Sequence, residues 1–264
     1  MSTPPEPSDP PVQFVQLPSG PMAYTDEGQG PPVVLVHGYP GGPRDWRWLA
    51  PCLPGHRLLR PQLPGLGQTP LATGPAADLP GRASLILAFT QALGLQRYVL
   101  LGHSMGGGVV IDVAVRAPER VSHLVLLSSI GLRPHIGLRR FNPRAAWWVL
   151  DSFVQPLMMP VMRKAFELGG FPPRWSDAEL LHTTHCAAAL DFGLQERNTA
   201  ALRCPTMLAY ASDDALIEPA ITEELDSACP GGPRVFFEDG GHNIQKAHAV
   251  ELGRAIVQFA QEFP

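Results

Sequence analysis

The chain has 264 residues, of which 45% are hydrophobic and 17% charged, and its formal net charge is −4 at neutral pH. This length suits one large α/β domain, and the composition excludes a long disordered chain, a coiled coil and a collagen. The weakly negative charge provides no basic surface for a polyanion. We therefore expect a small-molecule substrate and no nucleic-acid partner.

The N-terminal segment differs from the rest of the chain. Residues 1–11 contain five prolines and almost no apolar side chains, which predicts a disordered tail. No apolar run within the tail has the form of a secretory signal or a membrane anchor. Four scattered cysteines without paired spacing, at positions 52, 186, 204 and 229, indicate reduced thiols. We expect a cytoplasmic protein without a membrane span, as a monomer or homodimer.

Short β-type runs alternate with helix-type runs from residue 12 onward. Several runs, such as YVLLGHS and HLVLLSS, are continuously apolar, which is typical of strands covered on both faces of a parallel sheet. The pattern predicts an α/β fold with a mostly parallel, doubly wound sheet of about eight strands. The predicted strands are 12–17, 22–25, 33–37, 57–62, 98–103, 123–128, 206–211 and 234–237, and the predicted helices are 83–93, 105–117, 218–228 and 246–259.

One region interrupts this alternation. About seventy residues without a clear strand separate the runs that end near 128 and begin at 206, and an unstructured loop of that length is implausible inside a compact domain. We therefore predict a helical cap over residues 130–199, inserted between core segments 12–129 and 200–264. Its Trp and Met side chains are expected to form mainly the core of this cap.

The segment Gly102-His103-Ser104-Met105-Gly106 reads G-x-S-x-G between an apolar strand and a helix. On such a sharp strand-to-helix turn, the serine hydroxyl projects out of the sheet as a nucleophile. Ser104 is therefore the candidate nucleophile. The alternative is a glycine-rich turn with an incidental serine.

A serine nucleophile needs a base that is itself oriented by a carboxylate. His242 follows the last apolar strand, where ligand chemistry collects in open α/β sheets, and is the candidate base, with His248 as the alternative. Asp213 and Asp214 follow the strand at 206–211, and either could instead cap the next helix. We favour Asp214, which gives the order nucleophile, acid, base.

Acyl transfer also requires backbone N–H donors for the developing oxyanion. Met105, the residue after the nucleophile, is one candidate. Tyr39 is the other, because it follows the tight turn at Gly38 and because Pro40 has no N–H. We expect His37 to be a buried residue that ties loops together.

These motifs together resemble the α/β-hydrolase superfamily, and within it the lid-bearing serine esterases and related hydrolases with an HG-x-P loop. The resemblance runs from about residue 12 to the end. It implies a Ser104–Asp214–His242 triad, with Tyr39 and Met105 as oxyanion donors and without a cofactor or metal. Gln62 stands where the family often has Asp. The segments that carry the resemblance are HGYPGG (37–42), LPGLGQT (63–69), GHSMGG (102–107), ASDDALIEP (211–219) and GGHN (240–243).

The function implied is a serine hydrolase that cleaves a small or medium, largely apolar carboxylic ester. A carbon–carbon bond hydrolase and a cofactor-free haloperoxidase or perhydrolase would use the same triad, and a non-catalytic ligand-binding protein is the alternative of another class. Ser104 argues against dehalogenases and epoxide hydrolases, which use an Asp nucleophile. His182 and His185 could contact substrate or bind a metal. Four arginines at 133, 139, 140 and 144 could attract a carboxylate-bearing substrate or form a solvated face.

Overall fold

The computed structural model describes residues 7–71 and 78–262. Most of the predicted N-terminal tail, residues 1–6, lies outside the described residues. Within the remainder, the Asp9 carboxylate lies 2.6 Å from the Arg44 guanidinium. Among the described helices, none has both the length and the apolar character needed to cross a membrane.

Eight strands form a single sheet, which confirms the predicted fold class. β1 to β8 are Val12–Leu17, Gly20–Glu27, Pro32–Val36, Arg57–Pro61, Tyr98–His103, Val121–Leu127, Thr206–Ala211 and Arg234–Phe237. Their spatial order is β1-β2-β4-β3-β5-β6-β7-β8. β2 pairs antiparallel with β1 and β4, and all other pairings are parallel.

Helices cover both faces of the sheet. α1 to α10 are Leu79–Ala92, Met105–Arg116, Ile136–Phe141, Pro143–Leu150, Gln155–Leu168, Asp177–Ala188, Phe192–Ala200, Pro219–Ala228, Ile244–Ala247 and Ala249–Glu262. The prediction of one continuous C-terminal helix is wrong. The chain breaks at His248, whose ring stacks on Phe237 with centroids 4.0 Å apart and whose Nε2 lies 2.9 Å from Asp239.

The continuously apolar strands are explained by two separate cores. Alternate residues of a strand point to opposite faces. Leu100 of β5 accordingly packs with the core that includes Phe89 of α1, whereas Leu101 packs with the core that includes Phe259 of α10. Every residue of β5 is buried as a result. The strand thus leads into Ser104 from a support that is covered on both faces.

Five helices, α3 to α7, lie between β6 and β7. α4, α5 and α6 share a small core of their own, built from Leu150, Met159, Met162 and Leu180. α7 packs instead against α2 of the sheet region. The predicted cap boundaries, 130 and 199, stay a prediction.

Candidate active site

Ser104 lies on the turn between β5 and α2 with backbone angles φ 55° and ψ −126°. A residue with a Cβ rarely adopts this conformation, which costs about 1–3 kcal/mol and persists only where the surroundings enforce it. Backbone hydrogen bonds provide that constraint. The Ser104 N–H donates to the Leu127 carbonyl, and its carbonyl accepts from the N–H groups of Gly107 and Ile130, over 2.9–3.2 Å.

The loop after β3 approaches this turn closely because two positions lack a side chain. A Cβ on Gly38 would lie 2.9 Å from the Ser104 Cβ, and one on Gly106 would lie 2.5 Å from the His37 carbonyl oxygen. Tyr39 is thereby brought to the same cavity as Ser104. Any side chain at Gly38 or Gly106 would separate the loop from the turn.

His37 fixes the start of this loop. Its Nε2 accepts a hydrogen bond from the Leu63 N–H at 3.0 Å, so Nδ1 carries the proton and donates to the Gly38 carbonyl at 2.7 Å. The ring is fully buried, and burial lowers the pKa of His37, which keeps it neutral. This is the loop-tying role expected from the sequence.

Asp214 and His242 meet directly. His242 Nδ1 lies 2.8 Å from Asp214 Oδ2, and the other carboxylate oxygen accepts from the N–H groups of Leu216 and Ile217 at 2.8 and 3.0 Å. Burial raises the pKa of the Asp214 carboxyl, but the hydrogen bonds from His242 and from the two N–H groups outweigh this, so the pKa lies below its usual value. An ionised carboxylate can only accept, so Nδ1 carries the proton and Nε2 is left with a lone pair.

The neighbouring acid occupies a different position. Asp213 is exposed, and its Oδ1 accepts from the Gly241 N–H at 2.7 Å. The contact joins the loop after β7 to the loop that carries His242. The structure therefore brings Asp214, rather than Asp213, to the imidazole.

Two histidines near the imidazole were missed by the sequence reasoning. His103 Nε2 donates to the His242 carbonyl at 2.8 Å, and His135 Nδ1 donates to the Leu216 carbonyl at 2.7 Å. Burial lowers the pKa of His103 to about 3 and that of His135 to about 4. Both rings are thus neutral at pH 7, and neither adds a positive charge beside His242.

Two connected spaces meet at Ser104 and His242. The first, here called the apolar chamber, has a volume of about 450 Å³ and is lined largely by helices α3, α5 and α6. The second, the polar vestibule, has a volume of about 370 Å³. Met105 lines the chamber, and Tyr39 lines both spaces. Apolar side chains of the chamber include Leu138, Phe141, Phe166, Leu168, Phe171 and Ile217, and polar side chains of the vestibule include Asp45, Arg47, Arg174, Asp213, Asn243 and Lys246.

The two histidines of α6 contact other residues of the inserted helices. His182 Nε2 lies 3.5 Å from the Cys186 sulfur, and the His185 ring stacks on Trp147 with centroids 4.1 Å apart. In the part of the chain that the structure describes, no three His, Cys, Asp or Glu side chains converge as a metal site would require. Neighbouring residues of α6, Thr183 and Ala187, face the apolar chamber instead.

Comparison with known proteins agrees with this architecture. Residues 31–157 match the family model for the alpha/beta hydrolase fold. Pimeloyl-[acyl-carrier protein] methyl ester esterase from Aromatoleum aromaticum is 33% identical over 237 residues, which cover 80% of this chain and 91% of that protein. 2-Hydroxy-6-oxo-2,4-heptadienoate hydrolase from Pseudomonas putida is 36% identical over 265 residues, covering 90% of each.

Solved structures show the same fold. The crystal structure of a haloalkane dehalogenase from Bradyrhizobium elkani superposes with a TM-score of 0.78 at 20% identity, over 96% of this chain and 98% of that one. The two sequence relatives cover most of this chain at more than 30% identity. The chain is therefore an enzyme of the α/β-hydrolase family.

Proposed function

We propose that this enzyme is a serine hydrolase that cleaves a small or medium, largely apolar carboxylic ester through an acyl-enzyme. The observation that carries the proposal is the short bond between His242 Nδ1 and the buried Asp214 carboxylate, whose side chain is 1% exposed. His242 also lines the same cavity as the constrained Ser104. A nucleophile, a base and an orienting carboxylate are the groups that acyl transfer requires.

In the proposed mechanism, His242 Nε2 takes the Ser104 proton as the hydroxyl oxygen attacks the ester carbonyl. Asp214 stabilises the imidazolium that forms, and the N–H groups of Tyr39 and Met105 hold the oxyanion. The imidazolium then gives its proton to the departing alcohol. Water, activated by the same imidazole, hydrolyses the acyl-enzyme and releases the acid.

The inserted helices would act as a cap that selects the ester. Phe141 of α3 and Phe166 of α5 lie across the apolar chamber from the sheet, so the chamber suits an apolar acyl group. The polar vestibule then suits the alcohol portion. A methyl ester esterase among the relatives supports ester hydrolysis itself.

Carbon–carbon bond hydrolysis is the second candidate. It is favoured by the 36% identity to the Pseudomonas putida heptadienoate hydrolase over most of both chains. The kcat/KM values for a p-nitrophenyl ester series and for a 2-hydroxy-6-oxo-dienoate would separate the two. If kcat/KM is higher for the dienoate than for every ester, carbon–carbon bond hydrolysis would be the function instead of ester hydrolysis.

A fluorophosphonate probe tests the nucleophile. We expect the wild type to gain one adduct by mass spectrometry, Ser104→Ala to gain none, and Ser227→Ala, which removes an exposed serine of α8, to label as the wild type does. Labelling that persists in Ser104→Ala, or an unlabelled wild type, would contradict the proposal. Labelling without turnover of any ester or dienoate would favour the binding-protein alternative.

A further inference from the structure

The four arginines between residues 133 and 144 are all exposed, but they do not share one role. Arg133 pairs with Glu224 at 2.7 Å, and Arg139 pairs with Glu218 at 2.6 Å. Arg144 points to the carbonyl groups that end α6. These three side chains therefore hold α3 and α4 against neighbouring elements.

Arg140 is different from its three neighbours. It lines the apolar chamber, the same space that holds Ser104 and His242. Within residues 7–71 and 78–262, its guanidinium forms no hydrogen bond, ion pair or ring contact. A guanidinium presents a planar fork of donors that matches a carboxylate in a bidentate manner, and it is more weakly hydrated than an ammonium group.

Arg140 is exposed at the chamber lining, and no acidic side chain of the described lining pairs with its charge. The described lining of the chamber includes no Asp or Glu, and the His135 ring on the same lining is neutral because burial lowers its pKa to about 4. The rest of the described lining is mostly hydrocarbon, including Leu138 and Leu168. A ligand that complements this space has an apolar chain and one negative charge.

We propose that Arg140 binds a free carboxylate on the acyl portion of the substrate, so that the preferred substrates are monoesters of dicarboxylic acids. This inference rests on the proposed ester hydrolysis. The ester carbonyl would lie at Ser104, the methylene chain against the chamber wall, and the distal carboxylate on Arg140. Ser104 oxygen replaces the alcohol at the carbonyl, the alcohol leaves with the His242 proton, and water then releases the dicarboxylic acid.

Matched chromogenic esters test this assignment. 4-Nitrophenyl monoesters of adipic to azelaic acid are compared with the same compounds carrying a methyl-capped distal carboxyl, in the wild type, Arg140→Gln, Arg140→Lys and Lys164→Gln. Lys164→Gln is the matched control, because it removes one exposed positive charge from α5, where Lys164 pairs with Glu167. We expect the wild type to prefer the charged series. The chain length with the highest kcat/KM would then indicate the distance between Ser104 and Arg140.

Arg140→Gln should lower kcat/KM for the charged esters by about tenfold, mainly through KM, and leave the neutral esters within about twofold. Arg140→Lys should retain part of the preference, and Lys164→Gln all of it. The wild-type preference should also decline as ionic strength rises to about 1 M, whereas Arg140→Gln should show no such decline.

Three results would overturn the inference. The first is a wild-type enzyme without preference for the charged series, and the second is an equal loss of both series in Arg140→Gln. The third is a selective loss in Arg140→Gln for the butyryl ester of 4-hydroxybenzoate, which would place the carboxylate on the leaving group. In each case, hydrolysis of neutral esters with labelling of Ser104 would leave the proposed function intact. If the wild type neither hydrolyses any ester nor becomes labelled, both the Arg140 inference and the proposed function would be wrong.

Discussion

The two walls of the apolar chamber are built in different ways. On the sheet side, Ser104 and Asp214 are held by backbone hydrogen bonds and lie against the large cores of the sheet. On the helical side, the wall rests on a core of only four buried side chains, and large apolar residues stay exposed, with Phe153 at 96% and Leu168 at 80%. We infer that the chemistry is fixed by backbone geometry, whereas the range of substrates depends on side chains that can change without disturbing the sheet.

The largest effect is expected on the sheet side, at the acid. Asp214→Asn should lower kcat for an ester substrate by about 10⁴-fold, because the amide favours the wrong imidazole tautomer and cannot stabilise the imidazolium. Asp213→Asn should stay within about tenfold of the wild type, since Asp213 binds a backbone N–H rather than His242. Circular dichroism should show both variants folded. The opposite ranking would assign the acid to Asp213.

Paired truncations compare the two walls directly. Leu126→Ala, in the sheet core, should lower the free energy of unfolding by about 3 kcal/mol with little change in KM. Met162→Ala, in the four-residue core of the inserted helices, should cost about 2 kcal/mol, confined mainly to those helices, and raise KM several-fold. Denaturant titration and ester kinetics give both quantities. Equal changes in stability and KM for the two variants would refute the separation of the walls.

His103 should add a contribution from the sheet side to the acid sensitivity, beside those of His135 and of His182 in α6, whose pKa values burial also lowers, to about 4. Because the pKa of His103 in the folded chain is about 3, the native state binds fewer protons than the unfolded chain, whose histidine has a pKa near about 6.5. Stability is therefore fully present above pH 6.5 and declines as the pH falls, by about 1.4 kcal/mol per unit for this residue until about pH 3.

His103→Gln isolates this contribution. The glutamine amide retains a donor for the His242 carbonyl but does not titrate, so the variant should lose less stability between pH 6 and pH 4 than the wild type, by about 1.4 kcal/mol per unit. Denaturant midpoints measured across this range provide the check. Parallel pH profiles for the two proteins would show that His103 does not cause the acid sensitivity.

The sequence predicted the sheet well because buried parallel strands leave a local pattern. The buried runs predicted β5 and β7 with the bounds that the structure has, and the more exposed edge strands β1 and β8 were also predicted with their observed bounds. The strand, turn and helix around Ser104 were visible for the same reason. The strand pattern and the motif around Ser104 both depend on residues that are adjacent in the chain.

Contacts between distant residues were not predictable in this way. His103 meets the His242 carbonyl across 139 positions, and His135 meets Leu216 across 81. The helix break at His248 depends on packing against Phe237, and neither residue signals it locally. The four arginines look equivalent in sequence. Only their partners in space distinguish them: glutamates for Arg133 and Arg139, and backbone carbonyl groups for Arg144.

The left-handed backbone at Ser104 is a property of the turn rather than of the serine. Every residue with a Cβ would meet a conformational cost there, and glycine would escape it. Replacing the hydroxyl by a thiol or a carboxylate would change the reaction but would change the conformational free energy of the turn little. Under the proposed function, the nucleophile at this turn could therefore be exchanged at little cost in stability, while the base and the chamber would decide whether the new reaction succeeds.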